Sequence, residues 1–503
     1  MALIGVDAGG TGVKAVAYSH DGKQLKQSYR EYSMKNPSPG IYVFDPREIY
    51  KAAEDVIKEV AFGCGEEVLG IGCSTFGESF VCLDENNKVM CDSIMYFDTR
   101  GGESVKDFSE LWPQKELDKY GLWTPGHINS VIKMRVMSSE NKDFFSRVRR
   151  IRMMPDFILS HFGAEHLCDD SIAATTRCHN IYTNEWIPEM LEWAGVDPSL
   201  MPKIIPMGAV MGEVPAGIAA EIGVKPGAKL VSGGHDHTAA AIGVGMYRAG
   251  QVMNEIGTVD VSQMLVGDNE LKKLENTGLS GESTRFWKYA IPGIYFIMAG
   301  SGGLTGGATL KWFRDHFGLL EKAETIKKGI SFYSEYDKLI PIDPTGLIVL
   351  PQFGTGKPAR NQTGGILGMT MATTNAEIYK AFMECETFAV YTGLKHAIEN
   401  IMKADDVIAL GGAARSREYM QIRSDIYNLP VKTVISDQAG THGDAILAGV
   451  AVGLWKNISE AIEKTVHIKD IFLPNQKNHD YYMEMYQKYM KLYEAVNDSM
   501  FPE

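Results

Sequence analysis

Short glycine-rich runs carry the chemistry this chain is equipped to perform. The first is Asp7-Ala8-Gly9-Gly10-Thr11-Gly12-Val13-Lys14, between two apolar stretches that read as strands. Glycines there let backbone N–H groups face outward and cradle phosphate oxygens. Thr11 adds a hydroxyl donor and Lys14 a counter-charge, while Asp7 is placed to hold Mg²⁺ through water against the same phosphates. No GxxxxGK[ST] occurs, and a strand rather than a helix follows, so neither a P-loop nor a dinucleotide fingerprint is present. Taken alone, these eight residues fit a plain β-hairpin as well.

A second run, Gly233-Gly234-His235-Asp236-His237, precedes the small residues Thr238 to Gly243. Asp236 at the start of a small-residue helix is placed to accept a proton from a substrate hydroxyl. Helix capping is the competing role for that carboxylate. His235 and His237 invite a metal reading, but residues i and i+2 at a helix start point apart, and no third ligand lies nearby in sequence. A third run, Leu410-Gly411-Gly412-Ala413-Ala414-Arg415-Ser416, offers a flat wall for a nucleotide base or ribose, or else close packing. Gly257-Thr258 and the segment 302–307, which contains Gly306, are two further small-residue walls.

The elements that must position these runs alternate in type. Strands are expected over residues 2–7, 13–19 and on to 32, a helix over 46–61, and strands over 68–74 and 80–83. Ile49, Ala52, Ala53, Val56, Ile57 and Val60 make one helical stripe in that helix. Residues 112–201 read as a helical insertion. The theme then repeats: a strand over 229–232 runs into the glycine turn at 233–234, and a strand–turn–strand spans 251–266. A helix over 375–402, a strand over 407–410, a helix over 417–427, a strand over 431–435 and a helix over 443–454 follow. Interleaved strands and helices define an α/β class, with two halves built on one plan and joined near residues 240–250.

At 503 residues the chain is too long for one core. Apolar residues at 45% and charged residues at 22% exclude disorder. Fifty basic against 63 acidic residues give a net charge of −13, which argues against a nucleic-acid or anionic-membrane partner. The seven cysteines contain no CxxC and are expected as buried or part-buried thiols in a reducing compartment. With no secretory leader or long apolar run, the expected location is the cytoplasm.

On these motifs, in this order, the chain resembles the FGGY family of carbohydrate kinases along nearly its whole length. Asp7 to Thr11 resembles that family's first phosphate loop, and Gly233-Gly234-His235-Asp236 the loop with its catalytic aspartate. Gly257-Thr258 resembles the second phosphate loop. Gly364-Gly365-Ile366-Leu367-Gly368 through Ala381 and Glu384 resembles the C-terminal signature. Gly411 to Ser416, with Gln421, Asp425, Pro430-Val431 and the helix at 443–449, resembles the adenosine-binding end. The resemblance implies two RNase H-like (actin-like ATPase) domains, residues 1–246 and 247–503, with a ligand cleft between them and the helical insertion in the first. It implies ATP and Mg²⁺, with Gly9, Gly10, Thr11, Lys14, Gly257, Thr258, Gly306, Gly411, Gly412, Ala413 and Arg415 toward the nucleotide. Departures are Val136 where the family often has Trp, Gly354-Thr355-Gly356-Lys357-Pro358 without the usual acid, and Met420 in place of a Trp.

The sugar side is expected at Ser74-Thr75-Phe76-Gly77-Glu78-Ser79 and Tyr96-Phe97-Asp98-Thr99-Arg100, with His127, Asn129, His235 and Asp236. Glu78 stands where glycerol and autoinducer-2 kinases place a substrate-contacting glutamate, whereas xylulose kinases carry Met-His at Gly77-Glu78. Ser-Thr-Phe-Gly resembles the fuculose and rhamnulose kinases. Asp98 either accepts a sugar hydroxyl or pairs with Arg100. The expected activity is transfer of the γ-phosphoryl group of ATP to a primary hydroxyl of a ketose or polyol, of xylulose or fuculose type, with Asp236 as base. Gluconate, glycerol and erythritol are alternative substrates. A non-catalytic actin-like sugar sensor and a nucleotide-dependent oxidoreductase are the alternatives of other classes. A homodimer is compatible with this reading.

Overall fold

The computed structural model describes residues 1–276, 286–301, 306–353 and 363–500. The expected features at 302–305, and Gly354-Thr355-Gly356-Lys357-Pro358, lie outside the described residues. The chain packs as two compact units. The first comprises Met1–Tyr247, Glu275–Phe296 and Gln438–His467, and the second Arg248–Leu274, Ile297–Asp437 and Ile468–Glu503. The division by packing is therefore not a single cut near residue 247.

In the first unit a six-stranded sheet runs in the order Val210–Glu213, Lys229–His235, Val68–Thr75, Ala2–Gly9, Gly12–Ser19 and Gln24–Glu31. Ala2–Gly9 pairs antiparallel with Gly12–Ser19 and parallel with Val68–Thr75. Successive side chains alternate between the faces. Ile4, Val6 and Ala8 join Ile49, Ala53, Val56 and Val60 of the helix Pro46–Gly63 in one buried cluster. Each such Val or Ile contributes about 1.5–3 kcal/mol by leaving water. Asp45 caps that helix by accepting the Arg47 N–H, and Pro46 occupies its first turn, where no N–H is needed.

The opposite face is lined by small residues, because the helix Ala439–Ala451 lies directly on the backbone. A Cβ on Gly5 would fall 1.8 Å from the Thr441 carbonyl oxygen, and one on Gly72 would fall 2.2 Å from that of Asp444. Asp7 shares this face. The helix expected from residue 443 starts earlier, at Ala439.

Two further expectations are corrected. Residues 112–201 interleave short helices with short strands. Arg150–Met153, for example, pairs antiparallel with Phe80–Leu83, a partner about seventy residues away that local periodicity cannot reveal. Gly233 and Gly234 do not form a turn after residue 232. They lie inside the strand Lys229–His235, whose register against Val68–Thr75 shifts between Ser232 and Gly234.

The second unit repeats the plan. Gln251–Ile256 pairs antiparallel with Asp260–Gly267 and parallel with Asp406–Leu410, and the sheet continues through Val431–Val434 to Ile468–Phe472. The long helix Asn375–Asn400 starts from a capping box, in which Thr374 accepts the Glu377 N–H and the Glu377 carboxylate accepts that of Thr374. Gly411-Gly412 opens a 3₁₀ turn, Gly412–Arg415, rather than a helix, and the helix Arg417–Tyr427 follows. All seven cysteines are unpaired, with Cys64 and Cys91 partly exposed. Among the described residues, no helix is long and apolar enough to cross a membrane.

Candidate active site

Asp236 is the first residue of the helix Asp236–Gly243, and the bulge before it sets its direction. Gly234 has φ +76°, and a Cβ on Gly233 would fall 1.8 Å from Asp444 Oδ1 and 2.6 Å from the Cys73 carbonyl carbon. Only glycine allows the strand to pass so close. Helix capping falls to His235, whose Nδ1 accepts the His237 N–H at 3.2 Å. The same N–H donates to Asp236 Oδ1 at 2.7 Å, and that oxygen lies 2.8 Å from His235 Nδ1. Burial works against the Asp236 charge, but the His235 and His237 imidazoles and the His237 N–H together hold its carboxyl below the usual carboxylate range. Even so, 32% of the side chain is exposed.

Behind Asp236 stand Asp169 and Ser171, which carried no sequence signal, together with Ser232, Asp444 and, from the expected sugar segment, Ser74. The His235 N–H donates to Ser171 Oγ at 2.9 Å, while Ser232 Oγ and the Ser171 N–H donate to Asp169. Asp444 accepts from Ser74 Oγ at 2.8 Å. Burial first, then the neighbouring Asp7 and Asp236, push its carboxyl well up.

Asp7 lies opposite Lys14 across the hairpin and beside Ser74. It faces the N-terminus of Ala439–Ala451, where a Cβ on Gly440 would sit 3.1 Å from Asp7 Oδ2. The positive end of a helix dipole favours a carboxylate there. Tyr32 anchors the turn by donating to the Gly9 carbonyl at 2.7 Å. A Cβ on Gly10 would meet only Met95 and Tyr96 side-chain atoms, at 3.5 Å or more, and Thr11 is exposed.

On the sugar side, Glu78 has φ +66°, a conformation rarely held without cause. Its N–H donates to Thr175 Oγ1 at 3.0 Å, and its carbonyl accepts from Ser130 Oγ at 2.6 Å. Gly77 has no room for a side chain against Thr175 and the His235 ring. Burial first, then the carboxylates of Asp236 and Glu78, raise the Tyr96 phenol. Tyr96 stood in the expected sugar segment but had no role assigned to it.

Asp98 and Asn129 are already engaged. Asp98 is 1% exposed, accepts the Tyr42 N–H at 2.8 Å and receives Arg100 on both oxygens at 3.0 Å. Asn129 donates to the Thr175 carbonyl and accepts the Gly126 N–H. The Lys133 ammonium reaches the carbonyls of Met95, Tyr96 and His127, and burial lowers it to about 8.

In the second unit the small-residue walls converge at one sheet end. Gly307 N–H donates to the Gly257 carbonyl at 2.9 Å and Ala308 N–H to that of Thr258 at 3.3 Å. Gly411 has φ +97°, and its Cβ would lie 2.4 Å from the Ile256 oxygen. Gly306, Gly257, Thr258 and Gly411 are thus brought together. Gly412 faces open space, Ala413 follows it in the 3₁₀ turn, and exposed Arg415 pairs with Asp437 at 3.1 Å.

Residues 2–243 match the N-terminal domain of the FGGY family of carbohydrate kinases, and residues 280–452 match its C-terminal domain. A xylulose kinase from Staphylococcus epidermidis is 23% identical over 500 residues, covering 98% of this chain and 96% of that protein. An Escherichia coli L-xylulose/3-keto-L-gulonate kinase is 25% identical over 507 residues, covering 98% and 97%. The crystal structure of a gluconate kinase from Lactobacillus acidophilus superposes with a TM-score of 0.85 at 22% identity, covering 99% and 98%. An α/β architecture with these matches over both domains defines a sugar phosphotransferase. The chain belongs to the FGGY family of carbohydrate kinases.

Proposed function

We propose that this protein transfers the γ-phosphoryl group of ATP to a primary hydroxyl of a ketose or polyol, a sugar of xylulose or fuculose type, with Asp236 taking the proton. The observation that carries this reading is Asp236 itself: a part-exposed carboxylate at a helix start, kept ionised, next to His235, whose ring lies against Gly77 of the expected sugar segment. With Oδ1 engaged by His237, Oδ2 is the oxygen that would take the proton of the attacking hydroxyl.

The donor set suits a magnesium nucleotide. Gly10 leaves space that a Cβ would fill, Thr11 presents an exposed hydroxyl, and Asp7 sits at a helix N-terminus. Asp7 would hold Mg²⁺ through water, with Gly9, Gly10, Thr11 and Lys14 toward one part of the phosphate chain and Gly257, Thr258 and Gly306 toward another. Gly411, Gly412, Ala413 and Arg415 would face the adenosine. When bound, the cation neutralises charge on the phosphates. Gly412→Val tests the adenosine wall. Open space at Gly412 means the melting temperature should hold, while ADP affinity should fall by about tenfold or more because the side chain overpacks the ring site. Calorimetry showing unaltered ADP binding would place the base elsewhere.

Glu78 is the proposed acceptor for inner sugar hydroxyls. A charge-assisted hydrogen bond contributes roughly 1.5–3 kcal/mol, so Glu78→Gln should lose about 10–150-fold in kcat/KM with the true substrate. Arg100, the cation an acid sugar would recruit, is already bound by Asp98, which favours a neutral sugar over gluconate. An ADP-release screen over glycerol, erythritol, xylulose, ribulose, fuculose, rhamnulose and gluconate tests the reading. A strong preference for gluconate, or a Glu78→Gln variant as active as the parent, would overturn this assignment.

A further inference from the structure

The second unit contains a charged network in its core that the proposed chemistry does not use. Arg423 and Asp260 are both fully buried and ion-paired. The Arg423 guanidinium also donates to Tyr419 Oη at 2.7 Å, to Tyr427 Oη at 2.9 Å and to Asn254 Oδ1. Asn254 Nδ2 donates to Asp260 Oδ1 at 2.7 Å and to the Val261 carbonyl at 3.1 Å. Tyr419 Oη passes its proton-side bond to Glu386 Oε2 at 2.7 Å. The guanidinium lies 4.4 Å from the centre of the Tyr419 ring.

Withdrawing two charges from water stabilises a core little, since apolar residues of the same volume often serve as well. What the network supplies is direction, and it points at one place. Asp260 opens the strand Asp260–Gly267, two residues after Thr258, and pairs with Ile256 at the other side of the turn. A Cβ on Gly306 would sit 3.1 Å from the Asp260 Cβ, and the Gly306 backbone N–H acts on the Glu386 carboxyl. Gly306 in turn begins the segment whose next two N–H groups donate into Gly257 and Thr258. The network therefore grips the Gly257-Thr258 turn from its strand and from the helix Gly307–His316 packed on it.

We propose that Asp260 and Arg423 are positioning residues that fix the Gly257-Thr258 turn in the shape that receives nucleotide phosphates. This rests on the reading of that turn as a phosphate loop. A purely structural network would alter all ligand binding or none, whereas a phosphate-positioning one should separate ATP from adenosine, which lacks phosphates.

The test is calorimetric titration of the whole enzyme with Mg-ATP and with adenosine, for Asp260→Asn, Tyr419→Phe and Thr258→Val. The fitted stoichiometry reports the folded fraction, so affinities refer to folded protein alone. Asp260→Asn should weaken ATP by about 10–100-fold, the order expected when a displaced turn loses a hydrogen bond to the charged phosphates, and leave adenosine within about twofold. Tyr419→Phe, which deletes one hydroxyl, should move the ATP-to-adenosine ratio the same way by less. If Asp260→Asn does not fold, the Tyr419→Phe ratio decides, and an unchanged ratio overturns the proposal. Equal losses for ATP and adenosine would also overturn it, as would unchanged ATP binding in Asp260→Asn while Thr258→Val weakens it. If Thr258→Val leaves ATP binding intact too, the phosphate-loop reading fails with it.

Discussion

Asp236→Asn should lower kcat by about 10²–10⁴, the usual span for a lost general base, while folding and ATP affinity stay near those of the parent. Asparagine keeps the shape, and its amide oxygen still accepts the His237 N–H that Asp236 Oδ1 accepts at 2.7 Å. What it cannot do is take a proton. The pH dependence adds a second check. A depressed carboxyl is fully ionised above its ordinary range and loses its charge only as pH falls through the lowered value, so Asp236 remains a base across mildly acid pH. An acid limb in kcat/KM above about pH 5 would therefore belong to another group, since ordinary carboxylates titrate near 4. His235→Ala should cost much less than Asp236→Asn. Near-normal turnover by purified Asp236→Asn with ATP and its best sugar would remove this residue from the mechanism.

The second large effect is expected from a residue with no polar chemistry. Gly443→Val should destabilise the fold by about 3 kcal/mol or more, at or beyond the upper end for overpacking a core, and should reduce turnover in whatever protein remains folded. A Cβ on Gly443 would fall 1.8 Å from the Ala239 carbonyl oxygen, and one on Gly243 would fall 1.9 Å from that of Ala439. The helices Asp236–Gly243 and Ala439–Ala451 cross with backbones in contact, each supplying a glycine to the other. Both obstructing atoms are backbone, so no side chain can swing away. Relief requires the helix that begins with Asp236 to move, and a displacement of about 1 Å at a reacting group costs on the order of 10²-fold. Urea denaturation with an unchanged midpoint would contradict this account of the crossing.

Much of the local structure was legible because local signals suffice for it. The stripe from Ile49 to Val60 needs only helical periodicity and a partner face, and it packs as expected. Strand Phe80–Leu83 and helix Arg417–Tyr427 have the bounds expected of them. The Gly9–Thr11 hairpin and the Gly257-Thr258 turn were visible as glycines between apolar runs. By contrast, Asp98 and Asn129 carry the right atoms for sugar hydroxyls, yet the folded chain engages those atoms with Arg100, Tyr42, Thr175 and Gly126. Hydrogen-bonding capacity belongs to a residue type, but its use depends on what is packed against it.

By itself the amino-acid sequence determined the α/β class, the repeated hairpin plan, the acid on its small-residue helix and, through resemblance, the kinase family. These follow from periodicity, turn chemistry and motif order, all carried by neighbours in the chain. Only the tertiary structure decided that Ala439–Ala451 packs with the first unit, that Gly233 yields its side-chain space to Asp444, and that Arg423 reaches Asp260 beneath a glycine turn. Each of these joins residues more than 150 positions apart. Such contacts depend on which backbones can approach closely and which buried charges find partners, and neither has a period that a linear sequence can display.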